Sequence, residues 1–170
     1  MIGRVFLIAA FMGLAFPAAA AARPLDPLLE GFDDACAYSD ALAALLQSSY
    51  AFARKEGTLS IPAGYEAMFG PPSVKPENEY LQVTLPVVDG TWRGVPVKEI
   101  EVYITALESG FIYHAVLFQP DALKAAEAAF KQRGIAAQKK LAAQDDSGFG
   151  WDTGFAIIDG APRYQCDLST

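Results

Sequence analysis

Residues 80–118, YLQVTLPVVDGTWRGVPVKEIEVYITALESGFIYHAVLF, decide the fold because they have the pattern of consecutive β-strands. Tyr80 to Val88 alternates apolar and polar positions, as a strand with one buried face does. Asp89-Gly90 has the composition of a two-residue hairpin turn, and Thr91 to Val97 follows it. The stretch therefore opens with a predicted β-hairpin.

Two further strands complete this stretch. Lys98 to Leu107 places apolar side chains on one face and polar ones on the other, which predicts a half-exposed strand. Phe111 to Phe118 is apolar on both faces apart from His114. That pattern predicts a central strand covered on both sides.

The residues after 118 predict a helix. Pro120 and Asp121 suit the start of a helix, and Gly134 suits its end. Ile135 to Gln144 is ambiguous, because its alanines favour a helix while its alternation fits an edge strand. We predict a strand here, since Gly134 ends the preceding element.

The two ends of the domain predict one more hairpin and one more helix. Thr153 to Ile158 and Arg163 to Leu168 are strand-like runs joined through Asp159-Gly160. Upstream of residue 80, apolar residues recur at helical spacing from Phe32 to Arg54, with Cys36 on the first turns.

A long connection joins the first helix to the first strand. Gly57 to Glu79 is rich in proline and glycine, which prevent a helix or an interior strand, but its apolar residues predict that it covers one side of the sheet. The predicted fold class is therefore α+β: a single domain over residues 23–170, with an antiparallel sheet of about five to seven strands and two main helices.

The first 22 residues have the pattern of a cleavable signal peptide. Arg4 precedes the apolar run Val5 to Phe16, Pro17 breaks that run, and Ala18 to Ala22 offers small residues for cleavage. The rival interpretation is a membrane anchor, because the longer apolar stretch from Val5 to Ala22 has 18 residues, the lower length limit for a bilayer span. We favour cleavage after Ala22, which gives a periplasmic or secreted protein with no stable membrane insertion.

The chain has two cysteines, Cys36 and Cys166. In an oxidising compartment an even pair most simply forms a disulfide. A nucleophilic or metal-binding thiol is the alternative, but no C-x-x-C or Cys/His cluster accompanies either residue. We therefore predict a Cys36–Cys166 bond that joins the two ends of the domain.

Charge limits the classes of partner. The chain has 13 basic and 20 acidic residues, and loss of Arg4 with the signal peptide would change the net charge from −7 to −8. This balance argues against nucleic acid and anionic lipid as partners, because both require clustered cations. No nucleotide fingerprint, phosphate loop, haem motif or redox pair occurs, so no cofactor is predicted.

His114 is the only histidine in the sequence. Acid–base catalysis by an imidazole would therefore need His114 together with a carboxylate, as in a hydrolase. The alternative is a structural histidine in a buried strand. One histidine is too few for the multi-histidine zinc sites, so no metal site is predicted. Because the structural alternative stays open for His114, no catalytic residue is assigned either.

Residues 145–152 form the most distinctive loop, DDSGFGWD. Phe149, Trp151 and Asp152 could form an exposed anchor for a partner, together with Trp92 and Tyr65, because aromatic side chains provide large contact area with few rotors. The alternative is that Trp151 folds back onto the sheet.

These observations predict a non-catalytic exported module that binds another exported protein or an envelope component. Two alternatives remain: a cell-envelope hydrolase that uses His114 with a carboxylate, and a carrier of a small apolar ligand under the long Gly57 to Glu79 segment. The sequence does not define the oligomeric state.

Overall fold

The computed structural model describes residues 22–105, 113–145, 148 and 150–169, so all but the last residue of the predicted signal peptide lies outside the described residues. The described residues form one α+β domain with two α-helices and eight strands. The helices are α1 (Asp40–Ala53) and α2 (Leu123–Ala142). The strands are β1 (Arg23–Pro24), β2 (Ser73–Glu77), β3 (Tyr80–Pro86), β4 (Gly90–Trp92), β5 (Val95–Thr105), β6 (Tyr113–Phe118), β7 (Asp152–Ile158) and β8 (Ala161–Asp167).

The strands form one curled sheet. Its main order is β1-β4-β5-β6-β8-β7, and β3 pairs with β5 and carries β2 on its other side. The pairs are antiparallel except β1 with β4, which is parallel. The α+β prediction is therefore confirmed, with a short parallel pair added to the antiparallel sheet.

The predicted hairpin through Asp89-Gly90 is wrong, because β3 and β4 each pair with β5 and not with each other. Thr91 to Val97 is not one strand, because Arg93 and Gly94 adopt positive φ angles of 50° and 75° and reverse the chain between β4 and β5. Positive φ at both central residues is the geometry of a tight hairpin turn. Asp26, which lies outside this hairpin, accepts a hydrogen bond from the Arg93 backbone N–H at 3.1 Å and so also stabilises the turn.

Helix α1 begins later than predicted. Ser39 caps it, because its Oγ accepts a hydrogen bond from Leu42 N at 3.1 Å and donates one to the Leu28 carbonyl at 2.7 Å. Cys36 lies before this cap, in left-handed backbone with φ 59°. The prediction that Cys36 sits on the first helical turns is therefore wrong.

Helix α2 is continuous through Gly134, so the predicted strand from Ile135 to Gln144 is wrong. A Cβ at Gly134 would lie 2.8 Å from both Gly154 Cα and Phe155 N. Gly134 is therefore required by close packing of the helix on β7 rather than by a helix end. The buried stripe of α2 runs across it: Ala126, Phe130, Gly134, Ala137 and Leu141.

The long connection helps to cover the sheet, as predicted, but also contains an unpredicted strand. Met68 and Phe69 are buried in the core, and β2 follows them at the edge of the sheet. Pro76 lies within β2, which is compatible with an edge strand because one side of such a strand needs no ladder hydrogen bonds.

The core lies between the sheet and the two helices. Trp92 is at its centre, with ring centroids 4.4 Å from Phe130 and 5.5 Å from Tyr164. The predicted disulfide is confirmed: Cys36 and Cys166 are bonded, with their Cα atoms 5.8 Å apart. It ties the segment before α1 to β8.

Candidate functional site

The two faces of the sheet have different environments. On the core face, Val83, Val102, His114 and Cys166 align across β3, β5, β6 and β8. Both α-helices pack on this face. On the opposite face, which we call the outer face, the register aligns a different row of residues: Gln82, Tyr103, Tyr113, Asp167 and Asp152.

The outer face contains a shallow pocket of about 280 Å³. We call it the tyrosine hollow, and its lining residues are Tyr80, Tyr103, Tyr113, Ile158 and Arg163. Tyr80 is on β3 and Ile158 is on β7, and β5, β6 and β8 lie between these strands. The two side chains can line one pocket only because the sheet is curled along this diagonal.

A buried ion pair lies beside the hollow. Arg163 Nη1 is 3.3 Å from Glu101 Oε2, and the two side chains are 11% and 7% exposed. Gln82 Nε2 donates a hydrogen bond to Glu101 Oε1 at 2.8 Å. Burial raises the pKa of Glu101, and the positive charge of Arg163 partly opposes that rise. Both carboxylate oxygens of Glu101 thus have protein partners, Arg163 and Gln82.

The tyrosines present neutral phenols. The rings of Tyr103 and Tyr113 meet edge to face with centroids 5.3 Å apart, and Tyr113 Oη donates a hydrogen bond to Gln165 Oε1 at 3.1 Å. Burial, together with the negative charge of Glu101, raises the pKa of Tyr103 to about 12. The hollow thus offers aromatic surface and hydroxyl groups rather than a nucleophilic phenolate.

His114 lies on the core face, away from the hollow. Tyr38 Oη is 3.0 Å from its Nδ1, and Tyr50 Oη is 3.1 Å from its Nε2. Neither partner is a carboxylate, which the hydrolase hypothesis required. Burial lowers the pKa of His114 to about 4, so the imidazole is neutral at pH 7, with one nitrogen donating and the other accepting.

The predicted binding residues do not form one exposed cluster. Trp92 is 1% exposed and belongs to the core, so it offers no surface for a partner. Tyr65 and Trp151 are half-buried and pack against the core, which matches the alternative in which Trp151 folds back. Asp152 is exposed and accepts a hydrogen bond from Gln165 on the outer face, and Phe149 lies outside the described residues.

None of the residues that line the tyrosine hollow was predicted from the sequence as a binding residue: Tyr80, Tyr103, Tyr113, Ile158 and Arg163. A signal for Tyr103 was present, because Glu99, Glu101, Tyr103 and Thr105 alternate with the apolar residues of β5. Such alternation shows which side chains of a strand face away from the core, but it does not show which neighbouring strands provide the other residues of the hollow.

Within the described residues, no group of three or more His, Cys, Asp or Glu side chains is arranged to hold a metal ion. No helix in the described part of the chain combines the length and apolarity needed to cross a membrane. Compared with known proteins, the chain matches no family model, no curated protein and no solved structure.

Proposed function

We propose that the protein is a non-catalytic exported module that binds another exported protein on the outer face of its sheet. The observation that carries this proposal is the tyrosine hollow, in which three tyrosines, Ile158 and Arg163 line one pocket on the face opposite both α-helices. Tyrosine and arginine are enriched among the residues that dominate binding energy at protein interfaces.

The size of the hollow favours a protein partner. Its volume of about 280 Å³ is slightly below the range of roughly 300–1,000 Å³ that is typical of small-molecule sites. The hollow has room for one large side chain of a partner protein. The residues next to that side chain in the partner would then contact the outer face around the hollow.

The geometry favours binding over the hydrolase alternative. Tyrosine hydroxyls engage both nitrogens of His114, so neither nitrogen is available to a substrate in this arrangement. Glu101 is engaged by Gln82 and Arg163. These contacts hold the titratable groups in structural hydrogen bonds instead of directing them at a reacting atom.

The geometry also favours binding over the carrier alternative. That alternative depended on a lid formed by Gly57 to Glu79, but Met68 and Phe69 of this segment are buried in the core, and β2 pairs along its own full length with β3. A segment fixed in this way covers the core and is not poised to open over a ligand.

The disulfide supports the exported location. Cys36 is 5% exposed and Cys166 is fully buried, so their bond is part of the core of the domain. Disulfides persist mainly in oxidising compartments such as the periplasm or the extracellular space.

Site-specific photo-crosslinking in the organism that encodes the chain tests the proposal. A photoreactive phenylalanine analogue replaces Ile158, which lines the hollow and is 39% exposed. The matched control carries the analogue at Val88, which is 70% exposed and does not line the hollow. We expect one defined crosslinked protein from position 158 and not from position 88. Equal crosslinking from both positions, or none from position 158, would contradict the proposal.

A further inference from the structure

The tyrosine hollow lies in a predominantly negative field. Burial raises the pKa of Tyr103 and Tyr113, and nearby carboxylates add to this: Glu101 and Glu77 act on Tyr103, and Glu101 and Asp167 act on Tyr113. Arg163 acts on both tyrosines in the opposite sense. The negative charges of three carboxylates near the two tyrosines thus outnumber the positive charge of this one guanidinium.

The charge of Arg163 is already matched. Arg163 and Glu101 form the buried pair beside the hollow, while Glu77 lies opposite Tyr80 and Asp167 lies opposite Tyr113. Asp167 accepts hydrogen bonds from the backbone N–H and hydroxyl of Ser169, which is neutral and leaves the negative charge of Asp167 unmatched. Lys75 reaches Glu77 at 2.8 Å, but both side chains of this pair are well exposed, so their attraction is weak and screened by salt. The rim can therefore attract a further cation.

The surface inside the hollow is mainly apolar, because three tyrosine rings and Ile158 line it together with Arg163. A side chain with an apolar stem and a cationic head matches both properties, since the stem packs on apolar surface while the head meets aromatic faces and carboxylates. Arginine fits better than lysine, because its planar guanidinium stacks on aromatic rings and is less strongly hydrated.

We infer that the tyrosine hollow receives an arginine side chain of the partner protein, with the stem against Ile158 and the tyrosine rings and the guanidinium towards Asp167. This inference depends on the proposed function, because it names the chemistry by which the outer face recognises its partner. Such a contact would give this acidic chain specificity for a basic segment of its partner.

An NMR titration of the purified, disulfide-bonded protein tests the inference with two matched probes, N-acetylarginine methylamide and its neutral isostere N-acetylcitrulline methylamide. We expect saturable shifts of the Ile158 methyl and the Tyr103 and Tyr113 ring signals with the arginine probe. A buried cation–π contact predicts binding of the citrulline probe that is weaker by about tenfold, and added salt should weaken binding of the arginine probe.

Matched variants show whether the rim carboxylate is responsible. Asp167→Asn should weaken binding of the arginine probe several-fold, whereas Asp121→Asn removes the same charge at the start of α2 and should leave it unchanged. Equal binding of both probes, shifts confined to other surfaces, no saturation, or equal effects of the two variants would overturn the inference. Tighter binding of free arginine than of the blocked probe would also overturn it, because it would indicate a small-molecule site.

The two proposals can fail separately. If Ile158 crosslinks a defined protein but the two probes bind equally, the outer face remains a protein-binding surface and only the preference for arginine is lost. If the arginine probe binds but no protein is crosslinked from position 158, the proposed function is contradicted, and with it the assignment of the arginine to a partner protein.

Discussion

At the scale of single residues, His114 shows how a chemically versatile side chain becomes part of the core. It is 2% exposed, and its ring lies between the hydroxyls of Tyr38 and Tyr50. Desolvation makes the charged imidazolium unfavourable, while the two hydroxyls satisfy the neutral ring. The sequence could identify His114 as buried in a central strand, but its tyrosine partners lie before and within α1, far away in the chain.

This environment predicts a pH dependence of stability. The pKa of His114 is about 4 in the folded chain and 6.5 for an ordinary histidine, so between these values the unfolded chain binds more protons. Stability should therefore be lost as pH falls from 6.5 to 4, by about 3 kcal/mol from this group. Urea unfolding of the native protein at pH 7 and pH 4 measures the loss.

The variant His114→Gln isolates this contribution. Glu101 acts in the opposite direction, because its raised pKa favours the folded chain as pH falls, and this effect is common to both proteins. We expect the variant to be less stable at pH 7 but to lose much less stability on acidification. The same pH dependence in variant and native protein would show that His114 does not cause it.

A second residue-scale prediction concerns Arg93 and Asp33. Asp33 is 3% exposed and receives two hydrogen bonds from the Arg93 guanidinium, at 2.7 and 3.0 Å. Arg93→Gln should destabilise the fold by roughly 2–3 kcal/mol, because it removes the main partner of a buried carboxylate.

Arg133→Gln is the matched control for this prediction. Arg133 Nη1 lies 3.6 Å from the same carboxylate and its side chain is 50% exposed, so its loss should cost well under half as much. Thermal unfolding of both variants gives the comparison. Equal destabilisation would show that the bidentate contact of Arg93 is not the dominant one.

At the scale of elements, α2 binds the backbone at the start of the edge strand β7. Gln138 Nε2 donates to the Trp151 carbonyl at 3.0 Å, just before the strand, and Gln138 Oε1 accepts from Thr153 N at 2.7 Å. One side chain thus satisfies two backbone groups at this end of the edge, which could otherwise pair with another chain. The close approach at Gly134 makes this arrangement possible.

The variant Gly134→Ala tests this close packing. In an ordinary helix the change would stabilise by about 1 kcal/mol, because alanine has the higher helix propensity. Here the new Cβ would lie 2.8 Å from backbone atoms of β7, and the resulting displacement should give a net loss of roughly 1–2 kcal/mol. Chemical unfolding measures the sign of the change.

Ala136→Gly provides the control for helix propensity, since Ala136 is exposed on the same helix. It should cost about 1 kcal/mol, the ordinary cost of a glycine in a helix. Both substitutions would then destabilise α2, although they are opposite in kind. A more stable Gly134→Ala protein would contradict the packing explanation.

The errors of prediction at this scale have physical causes. β3 and β5 follow from alternation, because each has one face against the core, whereas β6 follows from a short run that is apolar on both faces. Gly134 was interpreted as a helix end, although the helix needs a glycine there to approach Gly154. Pro76 argued only against an interior strand, and β2 lies at the edge of the sheet, where proline is tolerated. At Gly134, tertiary packing outweighed local preference.

At the scale of the whole molecule, the candidate site arises from curvature of the sheet. Tyr80 and Ile158 are separated by 78 positions in the chain and by three strands in the sheet, yet they line the same hollow. Alternation within β5 marks Tyr103 as facing away from the core, which local sequence can reveal. The meeting of Tyr80 with Ile158 depends on strand order and twist, which no single segment specifies.

The disulfide is also a whole-molecule feature, because it closes a loop of 130 residues. In the chain-entropy model such a closure stabilises the fold by about 4–5 kcal/mol. The double variant Cys36→Ala with Cys166→Ala should lose stability of this order in urea unfolding.

This loss of stability should not alter the hollow, since β8 directs Cys166 to the core face and Arg163 to the outer face. In the folded fraction of the double variant, the arginine probe should therefore bind as tightly as it does to the native protein. Weaker binding by the folded variant would show that the covalent link also shapes the outer face. Unchanged stability would instead show that packing alone fixes the ends of the domain.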